Sequence, residues 1–228
     1  MPAQVAAIVA AGGIGKRLKS RRHKSFISLA GRPMLAWVLA ALERVSEIRQ
    51  VVVVAHRKDL AAARRLVKIG RFRKVARIVE GGKSRMASVQ RGLRALPVSA
   101  RWVLVHDAAR PLVTPEIIRA TVSAARRAKA AIAAVPVVPT IKQARNGWVV
   151  KTLDRKRLWA VQTPQVFERR LLEQAHRNGR RNGFDATDDA ALVEAMGKKV
   201  RIVPGAERNL KVTTPEDLVI AEALLKRS

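Results

Sequence analysis

The 228-residue chain contains no cysteine. That absence rules out a disulfide framework and thiolate metal sites, and leaves packing as the source of stability. Aromatic residues are only 4% of the total, so the interleaved stacking surfaces of single-strand nucleic-acid binders are missing. Histidine is scarce as well, with four in the chain. There is no Ser-His-Asp spacing, no His-x-x-x-His pair and no carboxylate-rich cluster, which argues against hydrolases of the nucleophilic or zinc kind. No apolar run approaches the roughly 18 to 20 residues needed to span a bilayer, and the start lacks a charged segment followed by a long apolar one with a cleavage site. The expectation is a folded cytoplasmic protein with no membrane partner.

Acidic residues are few beside basic ones: 17 Asp plus Glu against 46 Lys plus Arg, a formal net charge of +29. A nucleic-acid binder would gather such charge in a tail or along one helix face. Here the basic pairs are dispersed, as Arg21 and Arg22, Arg64 and Arg65, Arg126 and Arg127, Arg180 and Arg181, and Lys198 and Lys199. They read as a solvated basic surface with no specific nucleic-acid partner, although nonspecific binding at low salt is expected.

Hydrophobic residues make up 48% of the chain, enough for a substantial core. Short apolar or β-branched runs at 5–9, 51–55, 76–79, 102–106, 131–135 and 200–203 predict strands. Segments of helical period at 34–44, 60–67, 85–96, 115–128, 190–196 and 215–225 predict helices. Pro115 and Pro215 each follow a threonine, the N-cap and N1 signature. This alternation predicts an α/β fold with a mostly parallel, Rossmann-like sheet flanked by helices. No repeat or linker interrupts it, so residues 1–228 read as one domain. The exception is 137–159, where extended stretches at 140–144 and 148–153 are joined through Arg145, Asn146 and Gly147. Asn-Gly between extended runs signals a β-hairpin. A lone hairpin is marginal in water, so this one needs a surface to pack on, most simply a second copy of the chain.

The first strand runs into Ala10, Ala11, Gly12, Gly13, Ile14, Gly15, Lys16 and Arg17. Glycines after a strand let backbone N–H groups approach phosphate oxygens, and Arg17 adds a cation. The P-loop and dinucleotide spacings are absent, and a plain glycine-rich turn would show the same residues. Lys24 could grip a triphosphate from the opposite side. Asp107 ends an apolar strand, where open α/β sheets build their ligand crevices; it is the candidate Mg2+ ligand, or else a turn-capping residue. Gly81-Gly82-Lys83-Ser84-Arg85 offers N–H groups to an electronegative ligand or simply caps a helix with Ser84. Lys211 is a third candidate for phosphate contact, and His106 reads as a packing or hydrogen-bonding residue.

Together these residues resemble the 2-C-methyl-D-erythritol 4-phosphate cytidylyltransferases. The resemblance rests on the glycine-rich turn ending in Arg17, Lys24, Gly81-Gly82 with Arg85 and Ser88, and His106-Asp107-Ala108-Ala109-Arg110-Pro111. It continues through Thr140, Asp154-Arg155, Thr163-Pro164-Gln165, Thr187-Asp188, and Asn209 with Lys211 before Pro215-Glu216-Asp217. It implies a homodimeric enzyme that joins CTP to methylerythritol phosphate with Mg2+. Arg17, Lys24 and Lys211 would surround the phosphates and transition state. Ala11, Gly12, Gly13, Gly15, Gly82 and Ser88 would hold CTP, and Asp107 the metal. Arg110, Thr140, Arg155 and Thr163 would serve the acceptor, with Thr140 and Arg155 coming from the partner's hairpin arm. Ala10, Gly12, His23 and Pro139 depart from the family's usual residues. The rival readings are a cytidylyltransferase for another polyol phosphate, such as ribitol 5-phosphate, and a non-catalytic nucleic-acid binder on the same fold.

Overall fold

The computed structural model describes residues 4–13, 15, 18, 23–184 and 186–226. The strands are β1 (Val5–Ala11), β2 (Ser28–Leu29), β3 (Arg32–Pro33), β4 (Ile48–Ala55), β5 (Val75–Glu80), β6 (Trp102–Asp107), β7 (Ala130–Pro136), β8 (Lys142–Arg145), β9 (Trp148–Thr152), β10 (Trp159–Glu168) and β11 (Arg201–Pro204). The helices are α1 (Met34–Glu43), α2 (Leu60–Ile69), α3 (Arg85–Ala95), α4 (Pro115–Ala128), α5 (Arg169–Arg181), α6 (Asp189–Glu194) and α7 (Pro215–Lys226).

Seven strands form one sheet in the order β11-β7-β10-β6-β1-β4-β5. All its pairings are parallel except those of β10, which runs antiparallel to both β6 and β7. The period-2 rule divides β1 between two cores. Val5, Ala7, Val9 and Ala11 pack with Leu35, Leu39 and Leu42 of α1 and Ile118 and Val122 of α4. Ala6 and Ile8 point the other way, toward Val89 and Leu93 of α3, Leu172 of α5 and Leu192 of α6. Because both faces are covered, the central strands are nearly continuous apolar runs, as buried parallel strands require. A third, smaller cluster seats α7 through Ala221 against Leu29, Met34, Leu112 and Val212.

The expected helix starts are present: the Thr114 hydroxyl accepts from the Ile117 amide, and the Thr214 hydroxyl accepts from the Asp217 amide at 3.3 Å. The hairpin is present too. Asn146 and Gly147 take φ of 50° and 82°, the left-handed pair that a type I′ turn needs. Its strands are shorter than the expected 140–144 and 148–153.

The two-residue strands β2 and β3 and two longer elements, β10 and α5, were not legible. β10 contains Pro164 amid Gln162, Thr163 and Gln165, and a proline argues against an internal strand. The sheet accommodates it where the β10–β7 register shifts, between Val161 and Gln165. α5 buries only Leu172, Ala175, His176 and Gly179. The spacing is helical, but half of that stripe is not hydrophobic.

Candidate active site

The chain passes from β1 to β4 and β5 on one side and later to β6 on the other. Open α/β sheets bind ligands at such a reversal, beyond the C-terminal strand ends. Four strand ends deliver residues there: Gly12 and Gly13 after β1, His56 after β4, Gly82 after β5 and Asp107 from β6. With Ala10, Gly15, Lys24, Ser25, Lys83, Ser84, Arg85 and Ser88 on the α3 side, and Lys211, they line a cleft of about 570 Å3. A larger groove of about 760 Å3, lined by Phe26, Ala36, Leu66 and Phe72, lies elsewhere. Its lining includes Asp59 and Lys58 but none of Lys24, Asp107, Lys211 or the glycines that follow β1 and β5, so the smaller cleft is the chemical one.

Several polar groups in the cleft are held by neighbours. The turn carrying Lys24 (Lys24–Phe26) is tied to β1 by the Ser25 hydroxyl, which donates to the Ala11 carbonyl at 2.9 Å. Gly15 adopts φ of 66°, and a Cβ there would stand 2.9 Å from Lys24 Cβ, so only glycine lets the loop pass so near the lysine. Ser84 caps α3 by accepting from the Ala87 amide. Ser88 Oγ accepts from the Gly82 amide at 3.0 Å and donates to the Ser84 carbonyl at 2.9 Å, which fixes the glycine turn. Lys211 is presented by a pinned strip. Asn209 donates to the Thr163 carbonyl, and the Val212 amide donates to the Ala109 carbonyl.

Asp107 is the electrostatic focus. Lys211 Nζ lies 2.6 Å from its Oδ2, and Arg85 Nε lies 3.6 Å from its Oδ1. Burial pushes this carboxyl up, but Lys211 and then Arg85 outweigh burial and bring it down to about 2. It is therefore ionised throughout the physiological range. Arg85 also reaches the buried Asp189 at 2.7 Å, and His176 stands 2.9 Å from that carboxylate. Gln165 joins the same layer, donating to Asp188 Oδ2 and accepting from the Asp189 amide.

His106 is buried with Nε2 3.2 Å from the Arg110 carbonyl and Nδ1 2.9 Å from the Thr163 hydroxyl. Burial lowers its pKa to about 4, so it is neutral at pH 7. A carbonyl can only accept, so Nε2 is assigned the proton and Nδ1 accepts from Thr163. The Thr163 oxygen in turn accepts from the Asp107 amide at 3.1 Å. His106 is thus a strut for Asp107, as expected.

Residues 5–227 match the family described as 2-C-methyl-D-erythritol 4-phosphate cytidylyltransferase. The chain belongs to this family. A relative of that name from Pelotomaculum thermopropionicum is 48% identical over 98% of the chain and 94% of its own length. One from Nostoc punctiforme is 43% identical over 96% of each. Among solved structures, 4-diphosphocytidyl-2C-methyl-D-erythritol synthase from Anaerococcus prevotii superposes with a TM-score of 0.88 at 31% identity, covering 98% of this chain and 99% of its own. The Thermus thermophilus cytidylyltransferase gives 0.81 at 34%, with 98% and 99% covered.

Of the residues that the family pattern singles out, Gly12, Gly13, Gly15, Lys24, Gly82, Ser88, Asp107 and Lys211 line one cleft. Arg17, with Ile14 and Lys16, lies outside the described residues. Ala11 does not line the cleft: it is fully buried in the core, and Ala10 takes the cleft position. Thr163 lies beneath Asp107 with its hydroxyl engaged on both sides, a support more than a contact. Arg110 is buried and clamps the carbonyls of Asn209 and Val161. Thr140 and Arg155 are exposed and do not line this chain's cleft. Sequence reasoning gave no role to Asp189 or His176 and left that of Arg85 open. Their partners lie far apart in the chain, so spacing carried no signal.

The pairing of Asp107 also fixes a pH dependence. Its folded value lies below its ordinary one, so its contribution is complete above pH about 4 and is lost as pH falls toward 2. The size is on the order of 2 kcal/mol. Asp189 shifts in the same direction. Denaturant unfolding at several pH values is expected to show Asp107→Asn with a shallower loss of stability than wild type between pH 4 and 2. Parallel profiles would contradict the pairing.

Proposed function

We propose that the chain transfers a cytidylyl group from CTP to 2-C-methyl-D-erythritol 4-phosphate, giving the diphosphocytidyl product and pyrophosphate. The observation that carries this reading is the ionised Asp107 beside Lys211, at the end of a glycine-lined cleft that also holds Lys24. An acceptor phosphate oxygen attacks the α-phosphorus, a new P–O bond forms, and the bond to the bridging oxygen breaks as pyrophosphate leaves. The attacking phosphate monoester carries close to two negative charges at neutral pH, so no general base is needed. The histidine that supports Asp107, His106, is accordingly neutral and already engaged.

The protein's task is then to place the two phosphates in line and to neutralise charge around phosphorus. The glycine turn offers N–H groups to the triphosphate, while Lys24 and Lys211 approach it from different segments. Gly82 and Ser88, locked by their mutual hydrogen bond, face the position of the nucleoside. A single ionised carboxylate is a chemically adequate protein ligand for Mg2+, which takes its other oxygens from phosphate and water. Asp107 meets that requirement, and Mg2+ bound there would offset triphosphate charge. Lys211 would have to exchange its bond to Asp107 for one to phosphate, and its half-exposed, flexible stem allows this. Thr140 and Arg155 would complete the acceptor site of a partner subunit, making the enzyme a homodimer. A nucleoside triphosphate donor supports a cytoplasmic reaction.

The test is pyrophosphate release with CTP and a panel of acceptors. Release with methylerythritol phosphate but not ribitol 5-phosphate is expected, and the reverse preference would overturn the acceptor assignment. CTP-independent, steeply salt-dependent DNA binding with no release would favour the non-catalytic rival. Asp107→Asn should lower turnover at limiting Mg2+ by at least the ~10–100-fold that even outer-shell changes cost at metal sites. Saturating Mg2+ should recover part of the loss, and an unchanged rate would remove Asp107 from the metal site.

A further inference from the structure

Among the described residues, one group of three potential metal ligands comes together: His23, His56 and Asp59, with ligand atoms all within 4.8 Å of one another. They come from two anchored segments. His56 directly follows β4 and caps the 3-10 turn Arg57–Asp59, which Asp59 ends. His23 directly precedes the turn Lys24–Phe26. All three are partly buried, and the imidazole centroids stand 4.4 Å apart. His23 Nδ1 approaches Asp59 Oδ2 to 2.5 Å. That oxygen is nevertheless buried without a hydrogen bond of acceptable geometry. A buried carboxylate oxygen lacking a well-aligned donor, facing two imidazoles, has the chemistry of a cation site.

We propose that His23, His56 and Asp59 bind a divalent transition-metal ion of the zinc class, beside the nucleotide cleft and separate from the Mg2+ proposed at Asp107. Two nitrogens and one carboxylate form a donor set that suits zinc and its neighbours, whereas Mg2+ prefers oxygen ligands and retained water. Metal–ligand distances of about 2.0–2.2 Å put donors about 3.4 Å apart in a tetrahedron. Binding would therefore close the widest donor separations by roughly 1 Å and part His23 Nδ1 from Asp59 Oδ2 by a similar amount, both within the reach of side-chain rotation. His56 Nδ1 accepts from the Lys58 amide at 3.2 Å, so it already presents a lone pair. Coordination through Nδ1 returns that exposed amide to solvent.

Three protein ligands leave a fourth position for water or an oxygen of a bound nucleotide, since His56 also lines the cleft. The ion would tie the turn carrying Lys24 to the end of β4, linking site occupancy to the placement of a phosphate-binding lysine. The plain alternative is a His23–Asp59 pair that binds no ion.

The test uses tag-free full-length protein stripped with chelator and kept in saturating Mg2+, titrated with Co2+. One Co2+ per chain is expected, with visible absorption of low-coordinate cobalt that Zn2+ abolishes by displacement. His23→Ala, His56→Ala and Asp59→Asn should each weaken Co2+ binding at least tenfold, whereas Asp107→Asn should leave it unchanged. Zn2+ should also raise the melting temperature of wild type but not of the variants, and unfolding without metal reports whether each variant is folded. No Co2+ uptake above that of the triple variant would overturn the proposal. So would uptake that survives in all three single variants, or that disappears in Asp107→Asn.

Discussion

Lys211→Met is expected to reduce kcat by about two to three orders of magnitude, the usual cost of deleting one preorganised contact to transition-state charge. Lys24→Met should do the same. Methionine keeps much of the stem of lysine and removes the ammonium, so the loss reports charge more than packing. Both lysines line the cleft, but their supports differ. Lys211 is held between the pinned residues Asn209 and Val212 and salt-bridged to Asp107. Lys24 sits on the turn that Ser25 and Phe26 anchor to β1 and the core. Neither change opens a cavity, so circular dichroism should stay near wild type in both, although Lys211→Met also removes the main partner of the buried Asp107 carboxylate and should lower the melting temperature. The decisive measurement is kcat at saturating CTP, acceptor and Mg2+. Losses below a few-fold in both variants would mark these lysines as surface residues and remove the phosphate-binding assignment.

Mixing two inactive variants should restore activity. One carries Arg155→Ala and the other Lys24→Ala, and the dimers are allowed to exchange subunits. If the arm serves its neighbour, each mixed dimer has one site with both defects and one with neither. Equal mixing makes half the dimers mixed, so recovery should approach about a quarter of wild type. If Arg155 serves its own subunit, every site keeps one defect and nothing returns. No recovery despite demonstrated exchange would refute the shared site.

The structure supports the expectation of recovery in two ways. Every residue from Lys142 to Thr152 is exposed in the single chain, including Trp148 at 81% and Val149 at 62%. A two-stranded ribbon with an uncovered tryptophan is unstable alone in water. Arg155 sits at the base of that ribbon, where it donates to the Val138 carbonyl at 2.7 Å. Its planar fork keeps further N–H groups for a phosphate, a geometry that lysine cannot reproduce.

Much of this architecture follows from local rules. The apolar runs that became β1, β4 and β6 read as strands buried on both faces because they are short and apolar at both alternating positions. Thr114-Pro115, Thr214-Pro215 and Asn146-Gly147 announced two helix starts and a hairpin through backbone geometry that few other residues allow. The glycines after β1 and β5, with Lys24, Asp107 and Lys211, were readable as phosphate chemistry because they lie at strand ends.

What tertiary structure alone decided is everything that depends on partners distant in the chain. β10 is a strand because β6 and β7 supply hydrogen bonds on both sides, which outweigh its proline and polar residues. The ordering of Asp107 by Lys211, Arg85, Thr163 and His106 joins residues separated by up to about a hundred positions, which no local period can encode. The same holds for His23 beside His56 and Asp59. Composition and spacing determine which chemistry a segment can perform, whereas the pKa of a carboxylate and the convergence of ligands depend on the distances set by the folded sheet.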